Sequence, residues 1–233
     1  MKYIEAPSPN FDDRGRNVDT VILHYTGMPT GQEALTRLRD ASAKVSAHYY
    51  VEENGDVYRL VDEAKRAWHA GVGSWQGESD INARSIGIEI VNPGHAFGYR
   101  DFPDTQVDAV IALLKEIFSR HAITPARVIG HSDVAPRRKE DPGEKFPWAR
   151  LADEGLALAP FASDHKAGAS ITFEDALAAL QAIGYDASTA DYAAGVLAFQ
   201  RRFCPASLGQ GFDQRTKAAL MAVRKNLRIP PDV

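Results

Sequence analysis

The segment from Gly130 to Gly143 (GHSDVAPRRKEDPG) concentrates groups that can do chemistry: an imidazole at His131, carboxylates at Asp133 and Asp141, an ammonium at Lys139. It follows Arg127-Val128-Ile129, which reads as a short strand, and Pro136 and Pro142 take the chain out of regular structure. Loops at strand ends aim such groups into a common pocket. An earlier strand delivers His24 at its C-terminal end. His24, His131 and Asp141 together have the composition of an open zinc site: two imidazoles and a carboxylate, with a fourth position left for water whose pKa the metal lowers toward about 7. Glu89, between Ile88 and Ile90 in a strand that reads as buried, is a carboxylate that is costly unless paired or used. Facing such a metal, it would have its pKa raised by burial and could act as general base. Lys139 could meet a developing oxyanion. No local motif ties these residues together. Each therefore also has an ordinary reading, as a packed histidine, an edge-strand glutamate or a solvated charged loop.

The elements that must position them follow from periodicity. Val18–Tyr25 is expected as a strand, buried on both faces at Val21-Ile22-Leu23 and ended by Thr26-Gly27-Met28-Pro29. A helix over Gln32–Ala41 turns Leu35 and Leu38 inward. His48–Glu52 and Asp56–Val61 read as strands joined at the Asn54-Gly55 turn. Trp68–Gln76 is a glycine-loosened loop carrying two indoles. In the strand Ser85–Val91, Ile86, Ile88 and Ile90 share one face, while Gly87, Glu89 and Val91 share the other. The three- and four-residue spacing of Val107, Val110, Ile111, Leu114, Ile117 and Phe118 predicts a helix over Thr105–Arg120, with Thr105 and Asp108 resembling a capping box. Residues 1–17 read as an irregular arm. Strands separated by helices predict an α/β fold, a mixed central β-sheet flanked by helices on both faces.

Composition shifts after Leu151. The expected organisation is a catalytic domain over residues 1–151, a linker over 152–170, and a small C-terminal three-helix domain over 171–233. Its first helix opens at Thr172 with Asp175 in the capping position and stops at Gly184; Tyr192, Val196, Phe199 and Phe203 stripe the second, and the third starts after Asp213. At 233 residues with a formal net charge of −4, the chain has no basic field for nucleic acid. Cys204 is the single cysteine, which excludes an internal disulfide and a cysteine-rich metal site. No apolar run reaches the roughly 18 residues of a membrane span, and the N-terminus has no signal-peptide core. Those features place the chain in the cytoplasm, or in the periplasm if a leader has been removed.

Six motifs occur in a shared order: His24-Tyr25-Thr26, Ser46-Ala47-His48-Tyr49, Trp68-His69-Ala70-Gly71, Ser85-Ile86-Gly87-Ile88-Glu89, Gly130-His131-Ser132-Asp133 and Lys139-Glu140-Asp141-Pro142-Gly143. In order and spacing, residues 18–150 resemble the zinc-dependent N-acetylmuramoyl-L-alanine amidases of the type-2 group, whose fold peptidoglycan-recognition proteins share. The resemblance implies zinc held by His24, His131 and Asp141, Glu89 as the base that activates water, and Lys139 stabilising the tetrahedral intermediate. It also implies His48 beside the substrate, and His69 and Trp75 on a loop facing the glycan–peptide. The implied reaction is hydrolysis of the amide between N-acetylmuramic or anhydro-muramic acid and L-alanine, in cell-wall recycling or remodelling. Peptidoglycan fragments or sacculi would be the partners of a monomer. A non-catalytic peptidoglycan-recognition protein is the alternative, and loss of a zinc ligand would mark it. One departure is Tyr25, where cytoplasmic relatives commonly have Asn. The tail, with Leu180-Gln181-Ala182-Ile183-Gly184-Tyr185 and Gly211-Phe212-Asp213, resembles a three-helix peptidoglycan-binding module. It is expected to be separable and to act by raising the effective concentration of polymer.

Overall fold

The computed structural model describes residues 1–161 and 171–228. The chain runs β1 (Ile4–Glu5), β2 (Phe11–Asp13), β3 (Thr20–Tyr25), α1 (Gly31–Arg39), β4 (Tyr49–Val51), β5 (Val57–Arg59) and β6 (Lys65–Ala67). It continues through α2 (Ile81–Arg84), β7 (Ser85–Ile90), α3 (Gly94–Phe97), α4 (Asp104–Arg120), β8 (Val128–Gly130), α5 (His131–Val134) and α6 (Trp148–Asp153). Three further helices follow: α7 (Phe173–Ile183), α8 (Ala193–Phe203) and α9 (Gln214–Asn226).

Six strands form one sheet in the order β1-β5-β4-β7-β3-β8, parallel except where β4 meets β5. Alternation along the central strands sorts the two faces. Val21 and Leu23 of β3, with Ile86, Ile88 and Ile90 of β7, pack against Val107, Val110, Leu113, Leu114 and Ile117 of α4. Ile22 and His24 therefore point to the opposite side, as do Ser85, Gly87 and Glu89. The register sets His24 directly beside Glu89 on adjacent parallel strands. Helices cover both faces, as expected. Among the described residues, no helix is long and apolar enough to cross a membrane.

Several local expectations change. The arm is not irregular: β1 extends the sheet beside β5 and β2 pairs with β6. These strands are two and three residues long and exposed, so they leave no alternation to read. Arg14 then inserts among the carbonyls of Glu63, Lys65, Asn82, Ala83 and Ser85. α4 begins at Asp104 after Pro103, and Thr105 Oγ1 donates to the Glu53 carbonyl instead of capping. The segment after Gly130 is not all loop, because α5 forms one turn there, with the Asp133 carboxylate accepting from Gly130 N.

The largest change concerns the tail. The α7 capping box of Thr172 and Asp175 forms, and Gly184 ends the helix. The linker, however, does not start at residue 152: α6 runs through Asp153, and Leu156 and Ala157 lie in the core beneath α4. Residues 162–170 of that linker, and 229–233 of the tail, lie outside the described residues. Among the described residues the helical unit has no separate core. Ile22, Ala70, Trp75, Ile129, Val134 and Ala135 share one apolar cluster with Leu177, Leu180, Ile183, Val196, Phe199 and Leu220.

Candidate active site

The parallel strands β3, β7 and β8 end together, and a crevice outside their carboxyl ends is where an open α/β sheet binds ligands. Here it is a cavity of about 410 Å³, lined by His24, His69, Glu89, His131, Lys139 and Asp141 among others. β3 presents His24, β7 presents Glu89, and His131 is the first residue after β8. A larger groove of about 1080 Å³ lies at the other end of β3, but there Glu63 is consumed by Arg120, His121 and Tyr49.

His24, His131 and Asp141 form a nearly equilateral triangle of donor atoms. His24 Nδ1 is 3.0 Å from His131 Nδ1 and 3.0 Å from Asp141 Oδ2, and His131 Nδ1 is 2.9 Å from the same Oδ2. Proton positions follow from the hydrogen-bond network. His131 Nε2 lies 2.9 Å from the Ala70 carbonyl, which only accepts, so Nε2 carries the hydrogen and Nδ1 is bare. Ser85 Oγ gives its hydrogen to the Ile81 carbonyl at 2.6 Å and so accepts from His69 Nε2 at 3.2 Å. His69 Nδ1 must then accept from His24 Nε2 at 3.0 Å, which leaves His24 Nδ1 bare as well.

Electrostatics agree with a neutral His24 and a neutral His69. Burial, helped by the neighbouring His131 imidazole, pushes the His24 pKa down to about 4. Burial and the flanking histidines also hold His69 well below its ordinary value. Burial alone would raise the Asp141 carboxyl, and it is held far below the usual carboxylate range only by positive charge in the triangle, which protonated His131 and His24 would supply or, with the rings neutral, a bound cation. Three lone pairs thus converge with no proton between them, a donor set that fits zinc.

Glu89 takes the other half of the crevice. Its Oε2 is shielded from solvent and has no hydrogen-bond partner among the described residues. Burial, followed by the Asp141 charge, raises its pKa well above the ordinary value, with Lys139 opposing. Lys139 lines the same cavity, half-buried. The structure therefore brings together His24, His69, Glu89, His131, Lys139 and Asp141. It does not bring His48 or Trp75 to the cavity. His48 is fully buried behind His69, accepting from Gly87 N at 2.9 Å while its other nitrogen lies 2.7 Å from Arg14 Nη2. Trp75 is buried against Tyr185 of the helical unit, with ring centroids 5.0 Å apart. Neither side chain lines the pocket in which a substrate would lie.

Three contributors escaped the sequence reading. Ser85 fixes the His69 tautomer, and its signal was its place on the same strand face as Glu89. Gly87 makes room for His69, since a Cβ there would lie 2.4 Å from the ring's Cγ. A glycine inside a strand often marks such a close approach, but not what approaches. Arg138 donates to the Ala70 and Val72 carbonyls, and nothing local announces that.

A sheet whose strand ends hold a metal-type donor triangle beside a half-buried, unpartnered carboxylate has the layout of a hydrolytic enzyme. Comparison makes the class specific: the N-acetylmuramoyl-L-alanine amidase family matches residues 14–144, and the chain belongs to it and is an amidase. The N-acetylmuramoyl-L-alanine amidase AmiD of Escherichia coli K12 is 33% identical over 229 residues, covering 88% of this chain and 82% of AmiD. The 1,6-anhydro-N-acetylmuramyl-L-alanine amidase AmpD of Citrobacter freundii is 33% identical over 165 residues, 63% of this chain and 86% of AmpD. The E. coli AmiD structure in complex with anhydro-N-acetylmuramic acid-L-Ala-D-γ-Glu-L-Lys superposes with a TM-score of 0.81 at 32% identity, over 95% of this chain and 92% of that one. AmpDh3 of Pseudomonas aeruginosa with anhydromuramic pentapeptide gives 0.79 at 30% identity, over 94% and 95%.

Proposed function

We propose that the chain is a zinc amidase that cleaves the bond between the lactyl carbonyl of anhydro-muramic acid and L-alanine in soluble muropeptides. The metal would be held by His24 Nδ1, His131 Nδ1 and Asp141 Oδ2. The observation that carries this reading is the proton assignment, which turns both imidazole lone pairs toward one carboxylate oxygen. The complexes of AmiD and AmpDh3 with anhydro-muropeptides support the substrate class.

Zinc, when bound, polarises the carbonyl and lowers the pKa of water. The remaining work belongs to side chains. Glu89, made more basic than an ordinary carboxylate by burial, takes a proton from the attacking water and returns it to the departing amine nitrogen. The C–N bond then breaks to give a sugar carboxylate and a peptide with a free amino terminus. Lys139, across the cavity, faces the oxygen that gains negative charge. His69 and Ser85 hold His24 in the tautomer that binds metal.

Incubating the zinc-loaded protein with an anhydro-muropeptide and weighing the products tests this. Release of anhydro-muramic acid sugar and intact stem peptide is expected. Cleavage within the peptide, or none with one zinc per chain bound, would overturn it.

A further inference from the structure

Ligands His131 and Asp141 come from a single excursion between β8 and α6, and the helical unit grips that excursion at both ends. Near His131 the grip is Asp133. Its Oδ2 accepts from Gly130 N at 2.7 Å and from Arg202 Nη1 at 3.0 Å, and its Oδ1 accepts from Tyr185 Oη at 2.5 Å. The ion pair is almost wholly buried, with side chains 3% and 1% exposed. Beside Asp141 the grip is Glu140, whose Oε1 accepts from Arg201 Nη2 at 2.6 Å. The two ligands are tied to each other as well, because Ser132 N donates to the Asp141 carbonyl at 2.9 Å. Arg137, midway, pairs with Asp186 and Asp191 at the exposed rim, where such contacts contribute little.

Burying a charged pair is not an economical way to dock two units, since desolvation offsets most of the attraction. A fully satisfied carboxylate does fix the backbone on which it sits. Asp133 is two residues from one ligand and Glu140 is adjacent to the other. Preorganised ligands bind metal more tightly, and the groups that orient them matter nearly as much as the ligands.

We infer that Tyr185, Arg202 and Arg201 of the helical unit are positioning residues for the metal ligands, so that metal affinity is set by contacts made 44 or more residues beyond Asp141. The inference rests on the zinc reading above. It differs from a role in holding polymer, because it acts on the small-molecule site.

The test uses the full chain and measures zinc affinity by competition with a chromophoric chelator, alongside the melting temperature of the metal-free protein. Tyr185→Phe removes only the hydroxyl, Arg201→Gln removes the ion pairs with Glu140 and Glu144, and Leu220→Ala loosens the packing of α9 on α7 without touching a polar contact to the ligand loop. Tyr185→Phe and Arg201→Gln are expected to weaken zinc binding about 10-fold, as orienting groups do. Leu220→Ala is expected to lower the melting temperature while zinc affinity stays within about twofold. Unchanged zinc affinity in both loop-facing variants would overturn the inference, as would an equal loss in Leu220→Ala. A wild-type protein that binds no zinc would instead remove the reading beneath it, and that result is visible before any variant is measured.

Discussion

His131 and Asp133 sit two residues apart on one helical turn, yet face two buried polar clusters of opposite character. In the Asp133 cluster the carboxylate is satisfied: Tyr185, Arg202 and Gly130 supply hydrogens to its two oxygens, and among the described residues only Arg202 Nε is left without an acceptor there. The His131 cluster is deficient, with three acceptors pointing at each other and the neighbouring hydrogens committed outward to Ala70 and His69. Burial is similar, so burial alone does not separate a joint from a binding site. The count of protons does. A satisfied cluster holds parts together, whereas an acceptor-only cluster has a place for a cation.

Breaking the deficient cluster should give the largest effect. His131→Ala is expected to lose bound zinc and reduce amidase turnover to background, as read by metal analysis and product mass. Glu89→Gln keeps the triangle and should retain one zinc per chain while kcat falls about 10²–10⁴-fold. Lys139→Ala should lower kcat about 10²-fold with little change in KM, because its contribution is made as charge develops. Ser85→Ala sharpens the comparison further. Without the acceptor for His69 Nε2, the His24 tautomer is no longer fixed, and a chelator titration should show about 10-fold weaker zinc binding.

The smallest effect concerns the metal-free protein. His24 and His48 are held neutral by burial, with pKa values pushed down to about 4 and about 3. Unfolded histidine binds a proton near pH 6.5, so the unfolded state gains protons first as pH falls. Stability is thus present above about pH 6.5 and lost as pH falls toward the folded values, each group costing up to about 1.4 kcal/mol per pH unit. Melting of the apo protein should drop by several degrees between about pH 6.5 and 5. A flat profile would mean that these rings are already charged.

What the sequence revealed, and what it concealed, depends on distance along the chain. β-strand alternation placed Glu89 opposite the face of Ile86, Ile88 and Ile90, and the strand-end positions of His24 and His131 are where the structure has them. His48 and Trp75 were misplaced because proximity in a motif says nothing about depth: one residue just before β4 lies behind His69, and one loop residue lies under Tyr185. The helical unit looked separable because polar, small-residue composition masked Leu156 and Ala157, and because the contacts of Asp133 with Tyr185 and Arg202 span 52 and 69 residues. No periodicity encodes a pairing of that range.

β8 closes the strand order, so among the described residues its outer side has no neighbouring strand. Arg202 Nη2 takes the Val128 carbonyl on that side at 2.7 Å, and Ile129 packs into the apolar cluster beneath α7 and α8. A bare strand edge is a template for pairing with another chain. Shortening the chain before Thr172 would uncover that edge together with Ile22, Ala70 and Trp75. The expected product is therefore not a smaller working enzyme but a sticky one: light scattering should reveal self-association through β8, and a charged residue in place of Ile129 in the shortened chain should suppress it.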